Sequence, residues 1–184
     1  MKNKASDIGG YVYKSAEAFL VDANIWLYLS SLPSAQNAYA TNVYSIALKN
    51  LILAKSTILI SSTIISEFLN RYIRLEWGAR HKTTYPDFKD FRKSADFQPV
   101  GVNAADEARV ILKLCETRDD KFSSCVVDDV LSNFEAGIND FNDGVITHIC
   151  REYGCKLITH DSDFTTGGID ILTGNNRLLV ACPT

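Results

Sequence analysis

Two runs of the sequence decide the fold: DFNDGVITH at residues 140–148 and LITHDSDF at residues 157–164. In the first run, acids precede apolar residues at helical spacing, which predicts an amphipathic helix over residues 140–153 that ends at Gly154. The second run begins with apolar residues and predicts a short strand over residues 156–159. Each run therefore places a pair of acids at one end of a regular element.

Two earlier apolar runs repeat this arrangement of a strand followed by an acid. Residues 18–21 (AFLV) are followed directly by Asp22. Residues 57–60 (TILI) precede a predicted helix over residues 64–80, which carries Glu67 in its opening turns. Short continuous apolar runs are typical of strands that are buried on both faces. The alternation of such strands with helices predicts a three-layer α/β sandwich, in which helices flank both faces of a mostly parallel sheet.

The predicted topology brings acids together at one edge of the sheet. Asp22 follows the first predicted strand, Glu67 lies about one turn into the helix after the second, and Asp161 follows the third. Ligands of open parallel sheets bind outside the carboxyl ends of the strands. We therefore expect three acids from distant parts of the chain to lie at the same edge.

The remaining sequence predicts a single domain over residues 1–184. Residues 1–15 are expected to be a loose lead-in, and residues 78–100 an insertion or lid. A glycine-rich loop region is expected after the third strand. The further elements predicted are helices over residues 23–29, 39–55, 104–117 and 126–136, a short helix over residues 87–93, and an edge strand over residues 177–181.

Composition bounds the class of protein. The chain has 184 residues, of which 46% are hydrophobic and 22% charged, and its formal net charge is −3. These values are typical of a globular domain and do not exclude a local basic surface. Five irregularly spaced cysteines favour a reducing compartment, and the Cys150–Cys155 spacing lacks the partners of a zinc site. No apolar stretch resembles a signal peptide or a membrane span, so we expect a cytoplasmic protein.

A cluster of carboxylates favours a divalent cation. Several ionised acids repel one another unless a cation or a proton relieves the repulsion. Mg²⁺ and Mn²⁺ prefer oxygen ligands and suit phosphate substrates. No Ser-His-Asp or Cys-His arrangement and no glycine-rich phosphate loop stands out in the sequence. The acids therefore predict metal-assisted cleavage of a phosphodiester.

Four short motifs, in this order, resemble the PIN domain: VDAN at residues 21–24, SEF at residues 66–68, DFND at residues 140–143 and THDSDF at residues 159–164. The resemblance runs from about Phe19 onward. It implies a metal-dependent ribonuclease, and VapC-like toxins of type II toxin–antitoxin systems form a large bacterial group in this family. Such a protein would cleave RNA, would be inhibited by an antitoxin, and would often form homodimers.

The resemblance also assigns roles to individual residues. Asp22, Glu67, Asp143 and Asp161 would be the catalytic, metal-binding acids, and Asp163 an alternative or additional ligand. Asp143 would open its helix near the metal. The auxiliary residues would be Asp140, Asn24 and Thr159, of which Asn24 and Thr159 would orient the acids or water. The chain is longer than the compact toxins, because of residues 78–99 and an extra helix before residue 140.

A basic segment is the second candidate for contact with RNA. Residues 71–93 hold seven basic residues against three acids, with aromatic residues interleaved. Such a segment can follow a phosphate backbone and stack bases, or it can be a solvated helix whose aromatic residues are in the core. The basic residues are Arg71, Arg74, Arg80, Lys82, Lys89, Arg92 and Lys93.

Each candidate also has a structural interpretation. The aspartates at helix starts can cap helices or complement their dipoles, and those after the third strand can belong to turns. For His148 we expect helix packing, and His160 is a weak candidate for acid–base chemistry. Two alternative functions are an inactive PIN-fold module that binds RNA or protein, and a metal-dependent phosphatase of another Rossmann-like family. Asn24 disfavours the phosphatases that form a phospho-aspartate, because they carry an aspartate at that position.

Overall fold

The computed structural model describes residues 1–35 and 37–183. In this part of the chain, six strands form one sheet with the order β1-β6-β5-β2-β3-β4, and all paired strands are parallel. The strands are β1 (Lys4–Asp7), β2 (Ala18–Val21), β3 (Thr57–Ile60), β4 (Glu116–Thr117), β5 (Lys156–Ile158) and β6 (Asp170–Thr173).

Eight α-helices in the described residues connect and cover these strands. They are α1 (Ala23–Leu29), α2 (Ala38–Ala54), α3 (Ser62–Glu76), α4 (Phe88–Lys93), α5 (Phe97–Leu114), α6 (Val127–Glu135), α7 (Phe141–Tyr153) and α8 (Asn176–Ala181). A π-helical turn over Trp77–His81 extends α3. None of the helices in residues 1–35 and 37–183 is long and apolar enough to cross a membrane.

The central strands are buried on both faces. Phe19 and Leu20 of β2 and Leu157 of β5 are completely inaccessible to solvent, and Leu59 of β3 is 2% exposed. Since neighbouring residues of a strand point to opposite faces, burial of consecutive residues means that helices cover both sides of the sheet. The predicted α/β sandwich with a parallel sheet is confirmed.

The strand order reverses at β2. The chain runs from β2 outward to β3 and β4, and then returns to β5 on the other side of β2. The backbone N–H of Asp22 still donates to the carbonyl of Ile158 at 3.0 Å, so the ends of β2 and β5 lie side by side. A crevice at such a switch point is where open parallel sheets bind ligands.

The prediction of a loose lead-in over residues 1–15 was wrong. Residues 4–7 form β1, which pairs with β6 at the edge of the sheet. The Asn3 side chain, 1% exposed, donates to the carbonyls of Phe164 and Thr166 at 3.1 and 3.0 Å. The short segment carries no strong local signal, and it becomes a strand only because β6 offers it a partner.

The prediction of an edge strand over residues 177–181 was also wrong, because these residues belong to α8. The Asn175 side chain caps this helix by accepting a hydrogen bond from the backbone N–H of Arg177 at 2.9 Å. The strand in this part of the chain is β6 (residues 170–173), which lies between β1 and β5 in a region that we predicted to be a loop. The edges of the sheet are β1 and β4. The four-residue apolar run over residues 178–181 suits either element, and the cap decides between them.

Residues 78–100 form the π-helical turn, α4 and the beginning of α5, which confirms the short helix near residues 87–93. Phe91 is completely buried, and its ring packs against those of Tyr85, Phe88 and Phe97. The predicted helix over residues 104–117 begins earlier, at Phe97, and ends at Leu114, because Glu116 and Thr117 pair with β3 as β4. The aromatic residues therefore anchor this segment to the domain.

Candidate active site

Asp22 lies at the carboxyl end of β2, directly before α1. It occupies the N-cap position, but its side chain makes no capping hydrogen bond. Instead its Oδ2 atom accepts hydrogen bonds from Thr159 Oγ1 at 2.6 Å and from Asn24 Nδ2 at 2.7 Å. The residue is only 3% exposed. These contacts fix the carboxylate in the crevice, so capping does not account for this aspartate.

Thr159 joins the ends of the two neighbouring strands. Its Oγ1 atom donates to Asp22 and accepts from the backbone N–H of Asp161 at 3.0 Å and from Asn24 Nδ2 at 3.2 Å. The backbone N–H of His160 donates to Asn24 Oδ1 at 3.4 Å. The two predicted auxiliary residues, Asn24 and Thr159, therefore hold the acids of β2 and β5 in one network.

The geometry separates Asp161 from Asp163, which the sequence left equivalent. Asp161 is partly buried, and its charge raises the pKa values of Asp22 and Asp143. Its Oδ1 atom accepts a hydrogen bond from the backbone N–H of Asp163 at 3.0 Å, which closes a local turn. Asp163 is exposed and lines a neighbouring pocket of about 380 Å³ together with Asp140. Asp161 belongs to the acid cluster, and Asp163 lies at its border.

Asp143 enters the cluster from the first turn of α7. Burial and the charges of Asp161, Asp22 and Asp140 raise its pKa to about 7. Asp140 is the N-cap residue of α7, but its side chain makes no capping hydrogen bond. The two acids of the DFND run therefore face different surroundings: Asp143 is within the cluster, and Asp140 is at its exposed rim.

Glu67 approaches Asp22 from α3. Burial and the charges of Glu67 and Asp161 raise the pKa of Asp22 to about 7, although the hydrogen bond from Thr159 acts to lower it. Glu67 itself forms an ion pair with Arg71 Nη1 at 3.2 Å. The acids predicted from sequence thus influence one another electrostatically, and Arg71 offsets part of their negative charge.

The acid set fits a divalent cation that prefers oxygen ligands. Asp22, Glu67, Asp143 and Asp161 are carboxylates, and the paired histidines and cysteines that zinc favours do not join them. In residues 1–35 and 37–183, no three acidic, histidine or cysteine residues are close enough to enclose an ion by themselves. Mg²⁺ keeps several waters and binds through one or two carboxylates plus phosphate oxygens. An open set of acids with mutual repulsion matches that mode of binding.

Tyr28 is a neighbour of the site that the sequence did not suggest. Burial raises its pKa, and Arg71, Asp161 and Asp22 all lie within electrostatic reach of its hydroxyl group. Tyr28 follows Asn24 by four residues in α1, so both lie on the same face of that helix. This four-residue spacing is the sequence feature that could have identified Tyr28 as a neighbour of the site. Tyr28 places an aromatic ring beside the acids.

The two histidines that follow from the sequence as candidates, His148 and His160, have mainly structural contacts. His160 Nδ1 lies 2.8 Å from the hydroxyl of Tyr44, and its ring packs edge-on against Tyr28 and Tyr44. His148 Nε2 lies 3.0 Å from the carbonyl of Lys121 and 3.2 Å from Ser124 Oγ. These contacts agree with packing for His148 and show that the His160 ring is directed into a group of tyrosines.

Of the seven predicted RNA-binding cations, the structure places Arg71 beside the acids. Three others stack on aromatic rings, and Arg80 pairs with Glu76 at 3.0 Å. Lys89 and Lys93 are exposed on α4. The three stacked cations are Arg74 over Phe88 at 4.5 Å, Lys82 over Trp77 at 5.6 Å and Arg92 over Phe97 at 5.7 Å. The interleaved aromatic residues therefore pack with this segment and do not form an open base-stacking surface.

The sequence matches a family model described as PIN domain over residues 19–168. This match covers β2 to the loop before β6, and it includes every acid of the cluster. No curated protein sequence matches the chain.

Solved structures align with this chain at low sequence identity. VapBC2 from Rickettsia felis, bound to a DNA fragment from its promoter, aligns with a TM-score of 0.50 and 16% identity, over 85% of this chain and 98% of that one. PAE2754 from Pyrobaculum aerophilum aligns with a TM-score of 0.46 and 21% identity, over 84% and 90% of the two chains. VapC20 from Mycobacterium tuberculosis, a toxin that cleaves the sarcin–ricin loop, aligns with a TM-score of 0.45 and 14% identity, over 79% and 92%.

Proposed function

The chain belongs to the PIN-domain family, and we propose that it is a metal-dependent endoribonuclease that hydrolyses RNA phosphodiesters. One observation carries this proposal. Four acids from β2, α3, α7 and the end of β5 share one electrostatic environment, in which the pKa values of Asp22 and Asp143 are raised to about 7. Such an arrangement is unfavourable for ionised carboxylates unless a proton or a cation relieves the repulsion, and a bound cation would do so in the ionised form.

Asp22, Glu67, Asp143 and Asp161 are the residues that would hold Mg²⁺ or Mn²⁺. The bound cation supplies Lewis-acid stabilisation of the phosphoryl oxygens and activates water for attack on phosphorus. Asp163 and Asp140 lie at the border of the cluster, where they can influence the cation and the entering water. Water would attack phosphorus in line with the 3′ oxygen, and the bond from phosphorus to that oxygen would break. The products would therefore carry 5′-phosphate and 3′-hydroxyl ends.

The protein's own residues position these acids. Thr159 and Asn24 donate to the same Asp22 oxygen, which leaves the second oxygen of that carboxylate without these two donors. Asp161 is held by the turn that its own Oδ1 atom closes with the N–H of Asp163. Fixed carboxylates reduce the reorganisation that metal and substrate binding would otherwise require.

RNA would approach the cluster over Arg71 and Tyr28. Arg71 supplies a positive charge beside an otherwise acidic site, where a phosphate needs a counter-charge. The Tyr28 ring offers a face on which an unpaired base can stack. Contacts from the other six cations would guide the strand from a distance, because all six are exposed beyond the site.

A role as the toxin of a type II toxin–antitoxin pair is part of the proposal. Its support is family membership together with the VapBC2 structure, which has the same fold. The partners would then be an antitoxin protein and a second copy of the chain in a homodimer. We further propose that residues 1–184 form one domain, with residues 78–100 as an insertion. A small reading frame directly upstream of the gene would support the assignment as a toxin.

The direct test is cleavage of labelled single-stranded RNA by the full chain with Mg²⁺, with Mn²⁺ or with excess EDTA. We expect cleavage with either metal, none with EDTA, and 5′-phosphate product ends. The variant Asp22→Asn should lose cleavage. Asp170→Asn is the matched control, because Asp170 is an exposed acid at the start of β6. It therefore lies at the amino ends of the strands, whereas the acid cluster lies at their carboxyl ends.

Three results would contradict this proposal, and two of them would indicate one of the alternative functions. Turnover of a phosphate monoester without cleavage of RNA would indicate a phosphatase. Unchanged cleavage by Asp22→Asn with metal present would show that the acid cluster is not the catalytic centre. Failure of millimolar Mn²⁺ to bind, together with RNA binding and no cleavage, would indicate an inactive binding module.

A further inference from the structure

Two cysteines meet where α7 ends and β5 begins. Gly154 ends the helix in the left-handed conformation, with φ of 59°. Its backbone N–H donates to the carbonyl of Arg151 at 3.2 Å, and the N–H of Cys155 donates to the carbonyl of Cys150 at 3.0 Å. This pair of hydrogen bonds defines a Schellman cap, which brings the side chains at the positions of Cys150 and Cys155 into contact.

The two thiols are buried and interact directly. Cys150 is 1% exposed and Cys155 is 5% exposed. The hydrogen bond from the Cys150 thiol lowers the pKa of Cys155, and the same bond raises the pKa of Cys150. The thiolate is the reactive form of cysteine, and the hydrogen bond donated by Cys150 favours that form at Cys155.

Small molecules can reach this pair from solvent. Both cysteines line a pocket of about 480 Å³, whose wall also contains Arg151, Lys156 and Glu17. The opening lies at the end of α7 opposite to Asp143, so an oxidant can enter without passing through the acid cluster.

We propose that Cys150 and Cys155 are a redox modification site, at which hydrogen peroxide forms an intrachain disulfide. The Cys155 thiolate attacks one peroxide oxygen and becomes a sulfenic acid, while the other oxygen leaves as hydroxide and takes up a proton to give water. The Cys150 sulfur then displaces the sulfenic hydroxyl group, which leaves as a second water with the Cys150 proton. Two thiols are oxidised to one disulfide as one peroxide is reduced to two waters.

The remaining cysteines lack this arrangement. All five cysteines are free, but Cys115 and Cys125 are separated from the pair in the fold, and Cys182 contacts the backbone carbonyl of Thr165 through its sulfur at 3.4 Å. The Schellman cap is what holds two sulfurs side by side, and a disulfide requires such proximity. The modification is therefore specific to one pair.

The disulfide would tie the end of α7 to the beginning of β5. Each element delivers part of the acid cluster from its far end, because α7 carries Asp143 and β5 precedes Thr159 and Asp161. A link that closes a short loop restricts the unfolded chain. We expect the oxidised protein to unfold at a temperature a few degrees higher than the reduced protein, and to lose this increase on treatment with dithiothreitol.

The test uses the reduced full chain, treated with hydrogen peroxide and then with an alkylating agent. Mass spectrometry should show a loss of about 2 Da, the mass of two hydrogens, and a peptide linkage between Cys150 and Cys155. The variants Cys150→Ser and Cys155→Ser should not form the link. A double variant, Cys115→Ala with Cys125→Ala, removes the two partly exposed thiols and should form it as the wild type does.

Three results would overturn the proposal. The first is complete alkylation of both cysteines after peroxide treatment. The second is oxidation of Cys155 to sulfinic acid without a link to Cys150. The third is a linkage that involves Cys115, Cys125 or Cys182 at the expense of this pair. If a serine variant does not fold, the peptide maps of the wild type and of the double alanine variant still show whether Cys150 and Cys155 are linked.

Discussion

The hydroxyl of Thr159 donates a hydrogen bond of 2.6 Å to the Asp22 carboxylate, across the boundary at which the strand order reverses. The two residues are 137 positions apart in the chain. The bond links the end of β5 to the end of β2, and it lowers the pKa of Asp22 against the effects of burial and of the neighbouring acids. Positioning of the acid cluster therefore depends on a residue that need not contact the metal.

We predict that Thr159→Val reduces cleavage by about 10- to 100-fold, the usual effect of losing a residue that orients a metal ligand. Valine preserves the volume and removes the hydrogen bond to Asp22. The pKa of Asp22 should rise further, so the activity should be recovered in part at higher pH. Rates measured across a pH series check this, with Thr57→Val at the start of β3 as the matched control.

An unchanged pH profile in Thr159→Val would mean that the hydrogen bond does not control the ionisation of Asp22. A loss of secondary structure in this variant, measured by circular dichroism, would show that the effect is on folding. Thr57 is partly buried at the amino end of β3, away from the acid cluster. Its variant therefore reports how much a threonine-to-valine substitution in the sheet affects the protein in general.

Asp22→Asn should stabilise the metal-free protein above neutral pH while it abolishes cleavage. In the wild type, ionisation of a buried carboxylate beside Glu67 and Asp161 is unfavourable, and asparagine removes that charge. The amide oxygen can still accept the hydrogen bonds from Thr159 and Asn24. Thermal unfolding in EDTA should show an increase of about 0.5–2 kcal/mol in stability, the common gain when a strained functional residue is replaced. A lower unfolding temperature would contradict this account.

Asp120 should stabilise the start of α3, the helix that carries Glu67. Its carboxylate accepts hydrogen bonds from the Ser62 hydroxyl and from the backbone N–H of Thr63, the latter at 3.3 Å. Burial raises the pKa of Asp120, but hydrogen bonds from Ser62, Ser61 and Thr63 outweigh this and lower it. We predict that Asp120→Ala costs about 1 kcal/mol of unfolding free energy at neutral pH.

The pH dependence of this difference has a definite sign. Because the pKa of Asp120 is lower in the folded state, its stabilisation is fully present above the unfolded value of about 4 and is lost as the pH falls through the folded value. Urea unfolding of wild type and Asp120→Ala should therefore converge in acid. Asp119→Ala, which replaces the exposed neighbour, should show no such difference.

Arg71 should contribute to RNA binding more than its charge alone would suggest. It is the cation paired with Glu67 beside the cluster, whereas Arg80 forms a similar pair with Glu76 at a distance from it. In the Asp22→Asn background, Arg71→Ala should weaken RNA binding and reduce the slope of log K against log salt by about 1. Arg80→Ala is the matched control. Equal effects of the two substitutions would show that only total charge matters.

Gly144 should be required for the packing of α6 on α7. A Cβ atom at this position would lie 2.6 Å from Cγ1 of Val130, which is 8% exposed. We predict that Gly144→Ala destabilises the protein by about 1–3 kcal/mol, because the helices must separate. Gly10→Ala, with nothing within 4 Å of the added atom, should be close to neutral in the same thermal unfolding assay.

Much of the fold could be predicted because its signals are local. Each central strand is a continuous apolar run, and an acid follows three of them directly or within about one helical turn. A parallel sheet needs strands buried on both faces, so this pattern also predicts the edge at which the acids meet. The strand ends, the order of the motifs and the family followed from residues that are close together in the sequence.

The peripheral elements could not be predicted in the same way. Residues 4–7 contain no strong strand signal and pair with β6 only after the sheet has formed. Residues 177–181 have a pattern that suits a strand or a helix, and the Asn175 cap decides for the helix. The sequence also did not decide whether the aromatic residues of the basic segment contact RNA or pack in the core. That depends on tertiary packing, in which Phe91 is completely buried.

The sequence by itself determined which residues are acidic, which strands they follow and therefore which edge of the sheet they reach. Tertiary structure alone decided that Asp161 joins the cluster while Asp163 stays at its border, and that Thr159 holds Asp22. The physical reason is that strand ends follow from local apolar pattern, whereas hydrogen bonds between side chains 137 residues apart depend on the register of neighbouring strands. That register is fixed only when the whole core packs.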